Sequence, residues 1–137
     1  MKFLKTIAFV LMLGTAFMAC KKDSESTPTP TPTPSNGIEG KYTGQYGFEG
    51  DGLTDPFILN IKSGGVFQEI GVHSGAATGQ GTWQLNGNKF TANYKMLFAP
   101  YNEYSVALTY DATSKKLVGT WGFDKSTNDG GPLEVKR

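Results

Sequence analysis

Cysteine is all but missing from this chain. There is one, Cys20, in 137 residues, so no disulfide can form within the chain and stability must come from a packed core. Histidine is equally scarce. His73 stands alone with no acidic neighbour in sequence, and no zinc spacing, Ser-His-Asp arrangement, phosphate loop or dinucleotide fingerprint occurs. No catalytic residue, metal ligand or cofactor site is therefore expected. Charge of one sign is lacking too: 13 Lys and Arg face 12 Asp and Glu, which argues against nucleic acid as a partner. Beyond the first twenty residues no 3.6-residue apolar stripe can be found, which excludes a helical domain.

The one continuous apolar run, residues 7–18, follows Lys2 and Lys5 and ends at Ala19-Cys20. It is shorter than the ~20 residues a membrane-spanning helix needs. A charged start, a short apolar segment and a small residue before the cleavage point describe an export peptide over residues 1–19. Phe17-Met18-Ala19-Cys20 resembles the lipobox of bacterial lipoproteins, with Phe17 where a smaller aliphatic residue is commoner. The resemblance implies acylation of Cys20 and a membrane partner reached through that lipid. Loss of Lys2 and Lys5 with the leader would take the mature chain to a charge of about −1.

Residues 20–36 read as a linker. Four Thr-Pro dipeptides fill 27–34, and proline's fixed φ favours extended polyproline II at ~3.1 Å per residue, a semi-rigid spacer. The Lys21-Lys22-Asp23-Ser24-Glu25 stretch resembles the export tag of surface lipoproteins in the Bacteroidota. That implies an outer-membrane protein exposed at the cell surface, with a periplasm-facing anchor as the alternative.

Residues 37–137 suffice for one small domain. Apolar and polar residues alternate throughout, punctuated by every glycine of the chain except Gly14. Strands are predicted over 38–48, 57–62, 66–72, 79–86, 89–95, 103–110, 116–123 and 133–136. Asn86-Gly87 marks a type I′ hairpin, Ser63-Gly64-Gly65 another turn, and 111–114 and 128–132 two more. The connections are too short for parallel crossovers, so the fold class is all-β: an antiparallel meander of about eight strands, closing into an up-and-down barrel that leaves no exposed edge.

The alternation also assigns faces. Tyr42, Tyr46 and Phe48 point inward, as do Trp83 and Leu85, Phe90 and Tyr94, Tyr104, Val106 and Leu108, and Leu117, Trp121 and Phe123. Thr43, Gln45, Thr82, Gln84, Thr91, Asn93, Ser105, Thr109 and Thr120 point outward. Glycine precedes an aromatic by two residues in Gly40-Lys41-Tyr42, Gly81-Thr82-Trp83 and Gly119-Thr120-Trp121, leaving room for a ring from a neighbouring strand to cross the barrel. These triplets are core packing units, or else Trp83 and Trp121 line a pocket or a sugar-stacking platform. The buried tyrosine hydroxyls need partners, found at the barrel mouth or in a wet pocket.

On these residues the domain resembles the calycin group, the lipocalins and avidins, whose first strand carries Gly-x-Trp and whose last strand ends near a basic residue. Gly40-Lys41-Tyr42 takes the first place, with Tyr for Trp, and Lys136 or Arg137 the second. The lipocalin cysteines and the avidin biotin residues are not found, so no ligand is carried over. The candidate ligand-binding residues are Tyr42, Tyr46, Trp83, Tyr94, Tyr104 and Trp121. The ligand class is a small hydrophobic molecule or a glycan, and the protein is expected to be a non-enzymatic binding lipoprotein. The alternative is a protein-interaction module, such as a surface-complex subunit or an enzyme inhibitor. The apolar segment 96–101 either caps one barrel end or forms an exposed contact site. Glu49, Asp51, Asp55, Asp124 and Asp129 are read as solubilising loop charge; a calcium site would need their two loops at one end.

Overall fold

In the computed structural model, residues 37–137 are described; the expected leader, Cys20 and the Thr-Pro linker lie outside them. Eight strands follow in sequence order: β1 (Gly40–Tyr46), β2 (Asp55–Lys62), β3 (Val66–Ile70), β4 (Ala77–Asn86), β5 (Lys89–Met96), β6 (Glu103–Asp111), β7 (Lys116–Phe123) and β8 (Gly131–Lys136). Each pairs antiparallel with the next, and β8 returns to β1 through Thr43–Lys136 to Tyr46–Leu133, closing the barrel. Closure satisfies the backbone groups of both outer strands, the physical reason for an even meander of this length.

The expected boundaries hold to within two residues, and some of the small shifts are informative. β2 begins at Asp55 because Tyr46 pairs with it; Pro56, exposed at the strand start, forfeits a single donor there. The β4–β5 hairpin has Asn86 paired with Lys89, so its central residues are Gly87 and Asn88, not Asn86 and Gly87. Gly87 takes φ 62° and Asn88 does not turn positive, the φ pattern of a type II′ turn. The Asp111 carboxylate accepts from the Thr113 amide at 2.8 Å and the Ser114 hydroxyl at 2.6 Å, fastening the β6–β7 turn.

The interior is apolar and dense. Tyr42, Leu59, Phe67, Phe90, Val106 and Leu117 are all fully buried. Ser105 departs from its expected place in water: it is outward-facing on β6 yet fully buried. The β7–β8 loop folds over it, and its hydroxyl meets Asn93 Oδ1 at 2.7 Å and the Asp124 carbonyl. Phe48 and Phe123, expected inside, stand about half exposed at the rim (47% and 42%).

The Gly-x-aromatic triplets work differently from expectation. A Cβ on Gly81 would lie 1.9 Å from the Asn93 carbonyl oxygen, and one on Gly119 2.1 Å from that of Ala107. The space left by these glycines is filled by the adjacent strand's backbone. Rings lie instead against Gly79, where a Cβ would come within 2.8 Å of Tyr94, and Gly130, where it would come within 2.5 Å of the Trp121 indole.

Candidate functional site

Because the strands alternate in direction, odd-numbered strands run toward one end of the barrel and even-numbered strands away from it. The two ends differ. At the end where β1 begins, Ile38 is fully buried and accepts at its carbonyl from the Tyr42 hydroxyl at 2.7 Å. Trp83 donates from Nε1 to the Lys62 carbonyl at 2.8 Å and stacks on Phe90 with centroids 5.9 Å apart. Arg137, rather than Lys136, supplies the basic group: its guanidinium lies 5.9 Å from the centre of the Tyr42 ring and donates to the Glu39 carbonyl. Its stem passes close to the position a Cβ on Gly40 would take. Burial, and then Tyr110, push the Tyr42 phenol well above its ordinary value, against the pull of Arg137. Tyr42 and Trp83 are thus packed into a filled end.

The opposite end holds a cavity of about 340 Å³ that opens to solvent. Tyr46, Tyr94, Tyr104 and Trp121 line it together, each near the mouth end of its strand. The rings form a continuous wall: Tyr94 to Tyr104 at 5.6 Å, Tyr104 to Trp121 at 5.9 Å, and Trp121 edge-on to Tyr46 at 5.6 Å. Trp121 is held by a bond from Nε1 to the Gly47 carbonyl at 2.9 Å, which ties the β1–β2 loop to β7. Such edge-to-face contacts stabilise by ~0.5–1.5 kcal/mol beyond area burial and hold the wall in shape.

Among the lining residues that sequence reasoning missed, such as Phe57, Ile70 and Thr78, Glu69 alone carries a charge. Its register partners are Leu59 on β2 and Gly79 on β4, both inward-facing, so its side chain enters the barrel. Between Glu69 and Ile70 the register slips: Glu69 pairs with Gly79 and Ile70 with Ala77, leaving Thr78 as the extra residue of a β-bulge. The bulge turns Thr78 so that its hydroxyl donates to Glu69 Oε1 at 3.1 Å. Burial raises the Tyr94 phenol, and the Glu69 carboxylate raises it further; burial, Asp55 and Glu69 do the same for Tyr46. Both phenols therefore stay protonated near neutral pH. None of the cavity-lining residues is Lys, Arg or His. Phenol hydroxyls and one carboxylate set in an aromatic wall can accept and donate hydrogen bonds while shielding an apolar body from water.

The other candidates lie elsewhere. The loops carrying Glu49 and Asp51 and carrying Asp124 and Asp129 do share the mouth end, but among the described residues no three His, Cys, Asp or Glu side chains gather to hold a metal ion. Asp129 Oδ1 instead accepts from the Phe123 amide at 2.8 Å. His73 is exposed in the β3–β4 loop. In the 96–101 segment only Met96 lines the cavity; Leu97, Phe98 and Tyr101 are exposed beside the mouth rather than folded over it. A second depression, about 500 Å³, lies over the outer face of β4–β6 and is lined by polar and charged groups such as Gln80, Lys95 and Lys125. Comparison with protein-family models, curated proteins and solved structures finds no match for this chain.

Proposed function

We propose that this chain is a membrane-tethered, non-enzymatic binding protein whose barrel mouth takes up a small hydrophobic molecule or glycan. The observation that carries the reading is the cavity of about 340 Å³ walled by Tyr46, Tyr94, Tyr104 and Trp121, within the ~300–1,000 Å³ usual for ligand pockets. Phe48, Val72 and Phe123 extend the apolar lining outward to the rim, as suits a ligand with a greasy or ring-bearing body. Packing of Arg137 across Tyr42 supports a calycin-like relationship. In this reading a lipid on Cys20 and the stiff Thr-Pro linker hold the mouth away from the outer membrane, at the cell surface or on its periplasmic side.

Thermal-shift and tryptophan-emission titrations against apolar molecules and saccharides test the proposal. A ligand should raise the melting temperature and shift the emission of Trp121, and silence across the whole panel counts against a binding mouth. Mass spectrometry of the mature amino terminus tests the anchor, since an unmodified Cys20 removes it. A second reading, a protein-interaction module, is favoured by the exposure of Leu97, Phe98 and Tyr101 (45%, 63% and 56%). Crosslinking in intact cells separates the two: a partner captured through these residues supports the second.

A further inference from the structure

Resting on the reading of the mouth as a binding site, we infer that its ligand is a small organic cation, with an ammonium head against Glu69 and an aromatic or apolar body along Tyr94, Tyr104 and Trp121. Two independent features point there. Inward strand positions of the described barrel are apolar, aromatic or glycine except at Glu69, which faces Leu59 and Gly79, and at Asp55, which begins β2 opposite Tyr46 and is exposed at the rim. A charge placed inside is costly unless something compensates it. Its side-chain partners are neutral hydroxyls, Thr78 at 3.1 Å and the Tyr94 phenol, and neither of the ion pairs Lys95–Glu103 and Lys116–Glu134 involves it.

The second feature is the wall itself. Tyr94, Tyr104 and Trp121 present electron-rich faces, which attract a cation and stack on a planar body. No basic side chain lines the cavity, so a carboxylate or phosphate ligand would meet Glu69 with nothing to offset the repulsion. The bulge at Thr78 serves this arrangement, since its hydroxyl and the Tyr94 phenol orient the carboxylate, whose further lone pairs can accept from a bound ammonium.

Three soluble probes of one size test the inference on the full chain at neutral pH: 2-phenylethylammonium, 2-phenylethanol and 3-phenylpropionate, titrated by calorimetry. The cation should bind about tenfold or more tightly than the anion, with the alcohol between. Glu69→Gln, which keeps an acceptor for Thr78, should bring the three within about twofold. Equal binding of all three to the wild type, or tighter binding of the anion, overturns the cation assignment and leaves the binding mouth standing. Binding of none overturns both. A tenfold preference that survives Glu69→Gln overturns the role given to Glu69. Should that variant fail to fold, nuclear Overhauser contacts in the wild type decide: the methylene beside the ammonium should approach Thr78 and Ile70 and the phenyl ring Trp121, and the reverse orientation overturns the inference.

Discussion

Adding one methyl group at Gly81 should damage this barrel far more than adding one at Gly87. An alanine Cβ at position 81 would lie 1.9 Å from the Asn93 carbonyl oxygen and 2.5 Å from the Tyr94 Cα. An ordinary carbon–oxygen contact is about 3.3 Å or longer, so β4 and β5 would have to separate locally by about 1 Å from a spacing near 4.8 Å. That stretches two ladder hydrogen bonds past their useful range at ~1 kcal/mol each. Overpacking strain adds ~1–3 kcal/mol, for a total of ~3–5 kcal/mol. At Gly87 nothing lies within 4 Å, and the cost is the positive φ of 62° alone, roughly 1–2 kcal/mol. For a domain of this size ~1 kcal/mol moves the melting temperature by about 4–8 °C. Gly81→Ala should thus melt about 15 °C or more below the wild type, and Gly87→Ala about 5–10 °C below it, by circular dichroism. Equal shifts in the two variants would refute the claim that interstrand approach, rather than turn conformation, is what the triplet glycines provide.

The protein should lose stability in alkali: burial holds the Tyr42, Tyr46 and Tyr94 phenols above their ordinary 10.0, so the folded state keeps protons that the unfolded chain releases. That contribution is complete below pH ~10 and disappears as pH rises through the folded values; phenolate absorbance that reached its full amplitude with the barrel intact would contradict it. Ser105→Ala should cost about 1–3 kcal/mol, by leaving the Asp124 carbonyl short of a partner, and should speed amide exchange across 124–130; unchanged exchange there would remove the anchoring role of Ser105. Arg137→Ala should lower the urea midpoint by the equivalent of about 1 kcal/mol, through lost contact with Tyr42 and the Glu39 carbonyl. An equal effect from Lys136→Ala, which removes an exposed side chain, would show that Arg137 is not the special partner.

The strands were legible because period-two alternation is a consequence of a sheet with one dry face. Where boundaries moved, the cause was long-range pairing acting on residues of poor β-propensity: Asp55 and Pro56 at the start of β2, and Gly131 and Pro132 at the start of β8, are drawn into the ladder by Tyr46, Gln45, Trp121 and Thr120. Ser105 could not be read from β6 alone, since what buries it is a loop from the other side of β7. The six aromatic candidates were sortable in principle. In a meander, residues late in odd strands and early in even strands meet at one end. Tyr46, Tyr94 and Trp121 are late in odd strands and Tyr104 early in an even one, whereas Tyr42 is early in β1 and Trp83 late in β4. Direction of travel, added to face, separates cavity from packed end.

Glu69 resisted that rule because its strand breaks the alternation it depends on. In Val66-Phe67-Gln68-Glu69-Ile70 the apolar residues fall on both faces, and a carboxylate two residues from Phe67 reads as a strand drifting into solvent. The deciding residue lies on another strand. Thr78, squeezed out of register opposite Glu69 and Ile70, lets both side chains approach the interior and supplies, with the Tyr94 phenol, the hydroxyls that make a charge tolerable there. A polar group on an otherwise apolar face, supported by a bulge and bordered by a cavity, costs stability that core packing alone gives no reason to forgo. Local disagreement between pattern and position is therefore the signal that distinguishes the mouth of this barrel from its filled end.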